Sequence, residues 1–279
     1  MSKIYVVGIG PGSHADMTQR AQQALANCDI IVGYTVYVSL VKEFFADKEF
    51  LTTPMRKEVE RCVLAFERAA EGKTVAMICS GDAGIYGMSG IMEELAPRYP
   101  GVEVETVPGV SAVISGAAIL GAPLMHDFAV ISLSDLMTPW EKIAKRLQCA
   151  AQADFVLCLY NPSSNKRKGY LQRACDLILQ YASPDTVCGI ARNIGRQGET
   201  ATILTLGELR NTEVDMFSMF HEKVIGVRSG YLDRFFSDPE TLCRLFCRNA
   251  EGTEISVVEG VMRNHMDIKK IYEILERGI

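Results

Sequence analysis

Short apolar, β-branched runs recur along this chain with helix-like stretches between them, and that alternation constrains the fold more than any other feature. Strands are predicted at residues 4–9, 29–32, 74–79 and 102–107 in the first half. In the second half they are predicted at 128–133, 154–160, 186–192, 200–206 and 223–227. Several are apolar along their whole length instead of alternating, as strands covered by helices on both faces are. The order of elements therefore predicts an α/β fold. Residues 200–206 alternate better and read as an edge strand. Thr138-Pro139-Trp140-Glu141 reads as a capping box with proline at the first helical position. Ser237-Asp238-Pro239-Glu240 offers a similar start for a helix through Cys247.

Two α/β domains are expected, covering residues 1–120 and 121–236, followed by an extension at 237–279 whose role the residues leave open. The junction falls in the small-residue stretch 116–124, which ends Gly121-Ala122-Pro123. In the extension, 254–259 reads as one more strand and 267–277 as one more helix. A length of 279 residues allows two domains or one large one.

Composition excludes several classes. With 48% hydrophobic and 23% charged residues the chain is neither disordered nor fibrous. No apolar run reaches the ~18–20 residues of a membrane helix, and Met1–Val7 runs straight into a strand-like segment, which predicts no signal peptide. A net charge of −5 argues against nucleic acid as a partner. The nine cysteines are odd in number, form no CxxC pair and mostly sit in apolar runs, which predicts a reduced, cytoplasmic protein with neither disulfides nor a metal site. Cys243 and Cys247, one helical turn apart, are either a metal pair or, more commonly, two small buried hydrophobes.

Four loops carry the candidate chemistry. Gly8-Ile9-Gly10-Pro11-Gly12-Ser13 follows a strand, but Ser13 stands where a dinucleotide fingerprint needs its third glycine, and the expected acid at the end of the second strand is missing. By itself it marks a close backbone approach or a tight turn. The run from Ser80 to Gly90 holds four glycines and Asp82 at a strand's C-terminal end, where an α/β sheet binds ligands; the plainer reading makes Asp82 a helix cap. Pro108-Gly109-Val110-Ser111-Ala112 is weaker, since Ser111 would also serve as a cap. From Pro162 to Arg173 there are four cations and no acid, crowding the start of a predicted helix where the macrodipole disfavours them. A solvated face is the commonest use of such a run, but that local cost favours anion binding. Arg192, Arg196, Arg56, Lys57 and Arg61 add cations at other loop positions, though Arg61 has Glu58 within reach as a pairing partner. The four histidines are isolated, and no triad or paired-carboxylate motif stands out.

In this order the motifs resemble the tetrapyrrole methylase superfamily, the class III methyltransferases that use S-adenosylmethionine. Gly8-x-Gly10-Pro11-Gly12, Gly81-Asp82-x-x-x-Tyr86-Gly87 and Pro108-Gly109-Val110-Ser111-Ala112 carry the resemblance. The strings Ser80 to Gly90, Tyr160-Asn161-Pro162-Ser163-Ser164 and Ala191-Arg192-Asn193-Ile194-Gly195-Arg196 are similar to the branch that methylates a corrin precursor at C17 with ring contraction. Ala83, where the superfamily's uroporphyrinogen methylases have proline, agrees with that branch. The resemblance spans about residues 3–235 and implies two α/β domains with the cofactor in the cleft between them, in a homodimer.

Carried over by position, the resemblance puts cofactor contacts on Pro11, Gly81, Asp82, Ile85, Ser111, Ala112, Tyr160 and Asn193. A corrin precursor bears many acetate and propionate carboxylates, for which Arg56, Arg61, Lys166, Arg167, Arg192 and Arg196 are the expected partners. The implied methyl transfer releases a neutral thioether and needs no general acid; Asp82 and Glu199 are the candidate bases for proton removal. Three rivals stay open: a methylase of another macrocycle carbon or another substrate, a non-catalytic binding module, and a nucleotide-dependent dehydrogenase weakened by Ser13.

Overall fold

The structure is a computed structural model that describes residues 2–54, 57–162 and 169–212, with 223–226 described as backbone alone. The first half is a sheet of five parallel strands in the order β3-β2-β4-β1-β5. These are β1 (Ser2–Gly8), β2 (Ile30–Tyr34), β3 (Glu49–Thr53), β4 (Val75–Cys79) and β5 (Val102–Val107). Between them run α1 (Gln19–Asn27), α2 (Thr35–Val41), α3 (Glu58–Ala70) and α4 (Ser89–Leu95).

The wholly apolar strands have the predicted cause. In β1, β2 and β4 alternate residues point to opposite faces, and both faces are covered. Ile4, Val6, Ile30, Val32, Val75 and Met77 pack with Phe66 of α3 and Met92 of α4. Val7, Ile31, Ala76 and Ile78 pack with Leu25 of α1 and Val41 of α2. Strand β3 is absent from the sequence expectation, because Glu49–Thr53 is a short edge strand with no buried residue and no apolar run.

The second half is mixed, in the order β6-β7-β10-β8-β9. It comprises β6 (Phe128–Ser132), β7 (Val156–Tyr160), β8 (Val187–Arg192), β9 (Thr200–Thr205) and β10 (Lys223–Gly226). Only β6 and β7 are parallel; β10 runs antiparallel between β7 and β8, and β9 antiparallel to β8. As its alternation indicated, β9 is an exposed edge.

One face of this sheet is covered by α6 (Trp140–Gln152), α7 (Tyr170–Ile178) and α8 (Leu206–Arg210). The opposite face takes α5 (Ala112–Ile119), whose Val113 and Ala117 pack on Val156, Cys158 and Tyr160. The expected division after residue 120 thus falls at the end of a helix that follows the first sheet but covers the second.

Two helix starts differ from expectation. Helix α6 begins at Trp140 with Pro139 as its N-cap and no side-chain cap bond, so Thr138 does not form a capping box. A full capping box occurs instead at Thr205 and Glu208, opening α8. The helix expected after Ser237 and the pair Cys243 and Cys247 lie outside the described residues. Among the described residues seven cysteines are free, six of them buried, and no helix is long and apolar enough to cross a membrane.

Candidate active-site cleft

The C-terminal ends of β1, β4 and β5 release three loops side by side, at the position where open parallel sheets bind ligands. Gly10 and Gly81 form an antiparallel bridge, with Gly81 N donating to Gly10 O at 2.7 Å and Gly10 N to Gly81 O at 3.1 Å. Both have positive φ, 74° and 71°. Gly109 is pressed against them: a Cβ there would lie 2.2 Å from the Gly81 carbonyl oxygen and 2.5 Å from that of Gly8. Gly8 and Gly109 are glycines because the loops touch backbone to backbone there, whereas Gly12 makes room for the Arg196 side chain.

Asp82 ties the same loops by its carboxylate. Oδ1 accepts from Gly84 N at 2.8 Å and Ile85 N at 3.0 Å, and Oδ2 from Gly109 N at 3.0 Å. It is not the cap of α4, which begins at Ser89. Ser111 does cap α5, accepting from Val113 N at 3.4 Å.

The second half closes on this floor through three links. Tyr160, 6% exposed at the end of β7, bonds Ser111 Oγ at 2.8 Å and accepts from Val113 N at 3.2 Å. Burial raises the Tyr160 hydroxyl's pKa, opposed by its bond to Ser111. Tyr86 leaves the first half's glycine loop with φ 54°, a costly backbone for a bulky residue. Its hydroxyl donates to Val130 O at 3.1 Å and accepts from Ser132 N at 2.9 Å on β6, while its ring lies 5.1 Å from that of Tyr160. Arg196, in the loop after β8, donates from Nε to Pro11 O at 3.0 Å and from Nη2 to Ser80 Oγ at 3.1 Å. Burial lowers its pKa, opposed by the Tyr37 phenol.

Pro11, Gly81, Asp82, Ile85, Ser111, Ala112 and Tyr160 therefore come together where the two halves meet. Asn193 (φ 50°) braces the neighbouring turn through Gly198 O at 3.2 Å. Ile194 beside it is buried against Ala112. Glu199 is exposed and accepts from Gly195 N at 2.6 Å through Oε2. Arg192, half-buried, ends β8 opposite Thr200. Arg61 is buried and bonds Thr53 and Pro54 instead of Glu58. Arg56, Lys166 and Arg167 lie outside the described residues. Ser80 lies in the glycine-rich run that the sequence marks, but its bond to Arg196 joins residues 116 positions apart and has no local signal.

A profile of the Tetrapyrrole (Corrin/Porphyrin) Methylases matches residues 3–210. The chain belongs to the tetrapyrrole methylase family. Within it, this chain is similar to a Salmonella typhimurium protein named as a probable cobalt-factor III C(17)-methyltransferase, at 48% identity over 81% of this chain and 93% of that one. It is also similar to the cobalt-factor III methyltransferase of Priestia megaterium, at 44% identity over 77% of this chain, spanning 41% of that longer protein. Among solved structures of the family's fold, the methyltransferase CobJ matches with a TM-score of 0.73 at 33% identity, covering 82% of this chain and 98% of that one.

Proposed function

We propose that this chain transfers a methyl group from S-adenosylmethionine to C17 of a cobalt-containing corrin precursor, with ring contraction, in cobalamin biosynthesis. The convergence of the three glycine loops with Tyr160 on one cleft carries the reading, in a chain 48% identical to a protein named for that reaction.

The residues present suit the cofactor. The floor is backbone and small side chains, and the rim leaves Ile85 41% and Tyr86 53% exposed, apolar surface for an aromatic base. Pro11, Gly81, Ile85, Ser111, Ala112, Tyr160 and Asn193 would hold it. When bound, S-adenosylmethionine supplies an activated methyl group on a sulfonium. The thioether it becomes is neutral, so no side chain has to donate a proton to it. The protein's main contribution is placement, for which well-oriented systems offer ~7–11 kcal/mol, and the cross-bonded loops are the rigid frame that placement needs.

Of the two candidate bases Glu199 is the better. Its Oε1 makes no hydrogen bond among the described residues, whereas both Asp82 oxygens are engaged by backbone N–H groups. Asp82 is a positioning residue in this reading. Arg192, with Arg56, Lys166 and Arg167, would face the carboxylate rim of the macrocycle, whereas the Arg196 guanidinium is engaged by Pro11 and Ser80 and Arg61 is buried behind the cleft mouth. A cytoplasmic homodimer completes the reading, as the family resemblance implies.

The test is the mass of the product formed from labelled S-adenosylmethionine, without oxygen, on cobalt-factor III, cobalt-precorrin-3 or metal-free precorrin-3B. One label on a cobalt substrate, located at C17 by NMR, is the expected result. Label on precorrin-3B alone moves the enzyme to the metal-free route, and label at another carbon makes it a different macrocycle methylase. No label on any of the three overturns the assignment. Light scattering of the same preparation reads the dimer.

A further inference from the structure

Arg61 is the most anomalous charge among the described residues. It is 5% exposed on α3, and arginine is almost never so buried unless it is paired with an acid. Nε donates to Thr53 Oγ1 at 2.8 Å, on the last residue of β3, and Nη2 to the Pro54 carbonyl just after it at 3.2 Å. No carboxylate among the described residues bonds it, and Nη1 makes no hydrogen bond. The end-on edge of the guanidinium, Nη1 with the second N–H of Nη2, is therefore left open, and that edge matches the two oxygens of a carboxylate.

Two tyrosines lie near the guanidinium. The Tyr34 ring, at the end of β2, lies 5.9 Å from the guanidinium carbon, and Tyr37 on α2 packs edge-on against Tyr34 at 5.4 Å. The Tyr37 hydroxyl also lacks a hydrogen-bond partner among the described residues, and it sits within electrostatic reach of both Arg61 and Arg196. Burial raises its pKa against the pull of the two guanidiniums, so it stays a neutral donor. A purely structural clamp between β3 and α3 would need only a neutral donor, and nothing in that role calls for a buried positive charge.

The geometry points to a recessed recognition site for one carboxylate group, formed by the open edge of Arg61 and the Tyr37 hydroxyl at the C-terminal end of the first sheet. This rests on the reading above, which brings two carboxylate-bearing molecules to the cleft: the macrocycle through its rim and the cofactor through its methionyl end.

The experiment is calorimetric titration of the full chain, wild type, Arg61→Gln, Arg61→Lys and Tyr37→Phe, with cobalt-factor III and separately with S-adenosylhomocysteine. Arg61→Gln should weaken one of the two by about 10- to 100-fold, the loss of a charge-assisted pair. Tyr37→Phe should weaken the same ligand by about three- to tenfold, with the other ligand unmoved. The ligand that responds identifies the source of the carboxylate. Arg61→Lys keeps the charge without the fork and should fall between, and it carries the test with Tyr37→Phe if Arg61→Gln fails to fold. Unchanged affinity for both ligands in the folded variants overturns the site. If the wild type meanwhile methylates its macrocycle, the reaction stands without it; if the wild type transfers no methyl but Arg61→Gln loses S-adenosylhomocysteine, the site stands and the reaction assignment falls.

Discussion

At Asp82 two oxygens accept three backbone N–H groups from two different loops, so alanine there removes all three bonds at once. Charge-assisted bonds of this kind contribute about 1.5–3 kcal/mol each. Asp82→Ala is expected to lower unfolding stability by at least that amount in denaturant melts and to weaken S-adenosylhomocysteine in calorimetry, with Asp82→Asn intermediate. Lost turnover with unchanged affinity and stability would instead make Asp82 a base. Gly109 tests the same junction sterically. Gly109→Ala puts a Cβ 2.2 Å from a carbonyl oxygen that has nowhere to go, and overpacking of this kind costs about 1–3 kcal/mol or more. The sequence marked these residues as special because glycine density and a lone acid at a strand end are rare without a ligand or a tight approach. It did not separate the two uses, since a carboxylate that holds a loop and one that takes a proton are spelled the same way.

Elements differ in how far local pattern decides them. Strands β1, β2 and β4 were readable because both faces are buried, whereas β3 was not, because an exposed edge strand needs no apolar run. The start of α6 departs from the expected capping box because Pro139 sets the entry of the chain and the Thr138 side chain makes no cap bond. Gly90, in the first turn of α4, meets nothing within 4 Å of an added Cβ. Gly90→Ala should raise the thermal midpoint, stabilising the helix by about 0.5–1 kcal/mol. Strand β5 is tied to β1 and α1 by Glu105, which pairs with Lys3 at 2.6 Å and Arg20 at 2.7 Å. Its hydrogen bonds to Lys3 and then Arg20 hold its pKa below the ordinary 4.5. A depressed carboxylate contributes stability above its unfolded value and loses it as pH falls through the folded one. Thermal melts of the wild type should therefore fall more steeply below about pH 4.5 than those of Glu105→Gln.

At the scale of the molecule, the two halves are joined by side chains that reach across the cleft: Tyr86 to β6, Tyr160 to the cap of α5, and Arg196 to Pro11 and Ser80. Tyr86→Phe combined with Arg196→Ala removes two of these links without touching either core. Hydrogen exchange at residues 8–12 and 193–198 should then accelerate, while amides of β1 and β4 keep wild-type protection. Equal acceleration in the central strands would mean that the links support the whole fold and not the cleft alone. The sequence by itself determined the α/β class, the strands of both cores and the loops that meet at the cleft. These follow from periodicity, glycine placement and strand-end chemistry, all local in the chain. Tertiary structure alone decided that α5 covers the second sheet, that β10 inserts antiparallel between β7 and β8, and that Arg61 lies over Tyr34 with no acid bonded to it among the described residues. Those outcomes depend on which surfaces meet across tens of residues, and no local pattern of residue types encodes them.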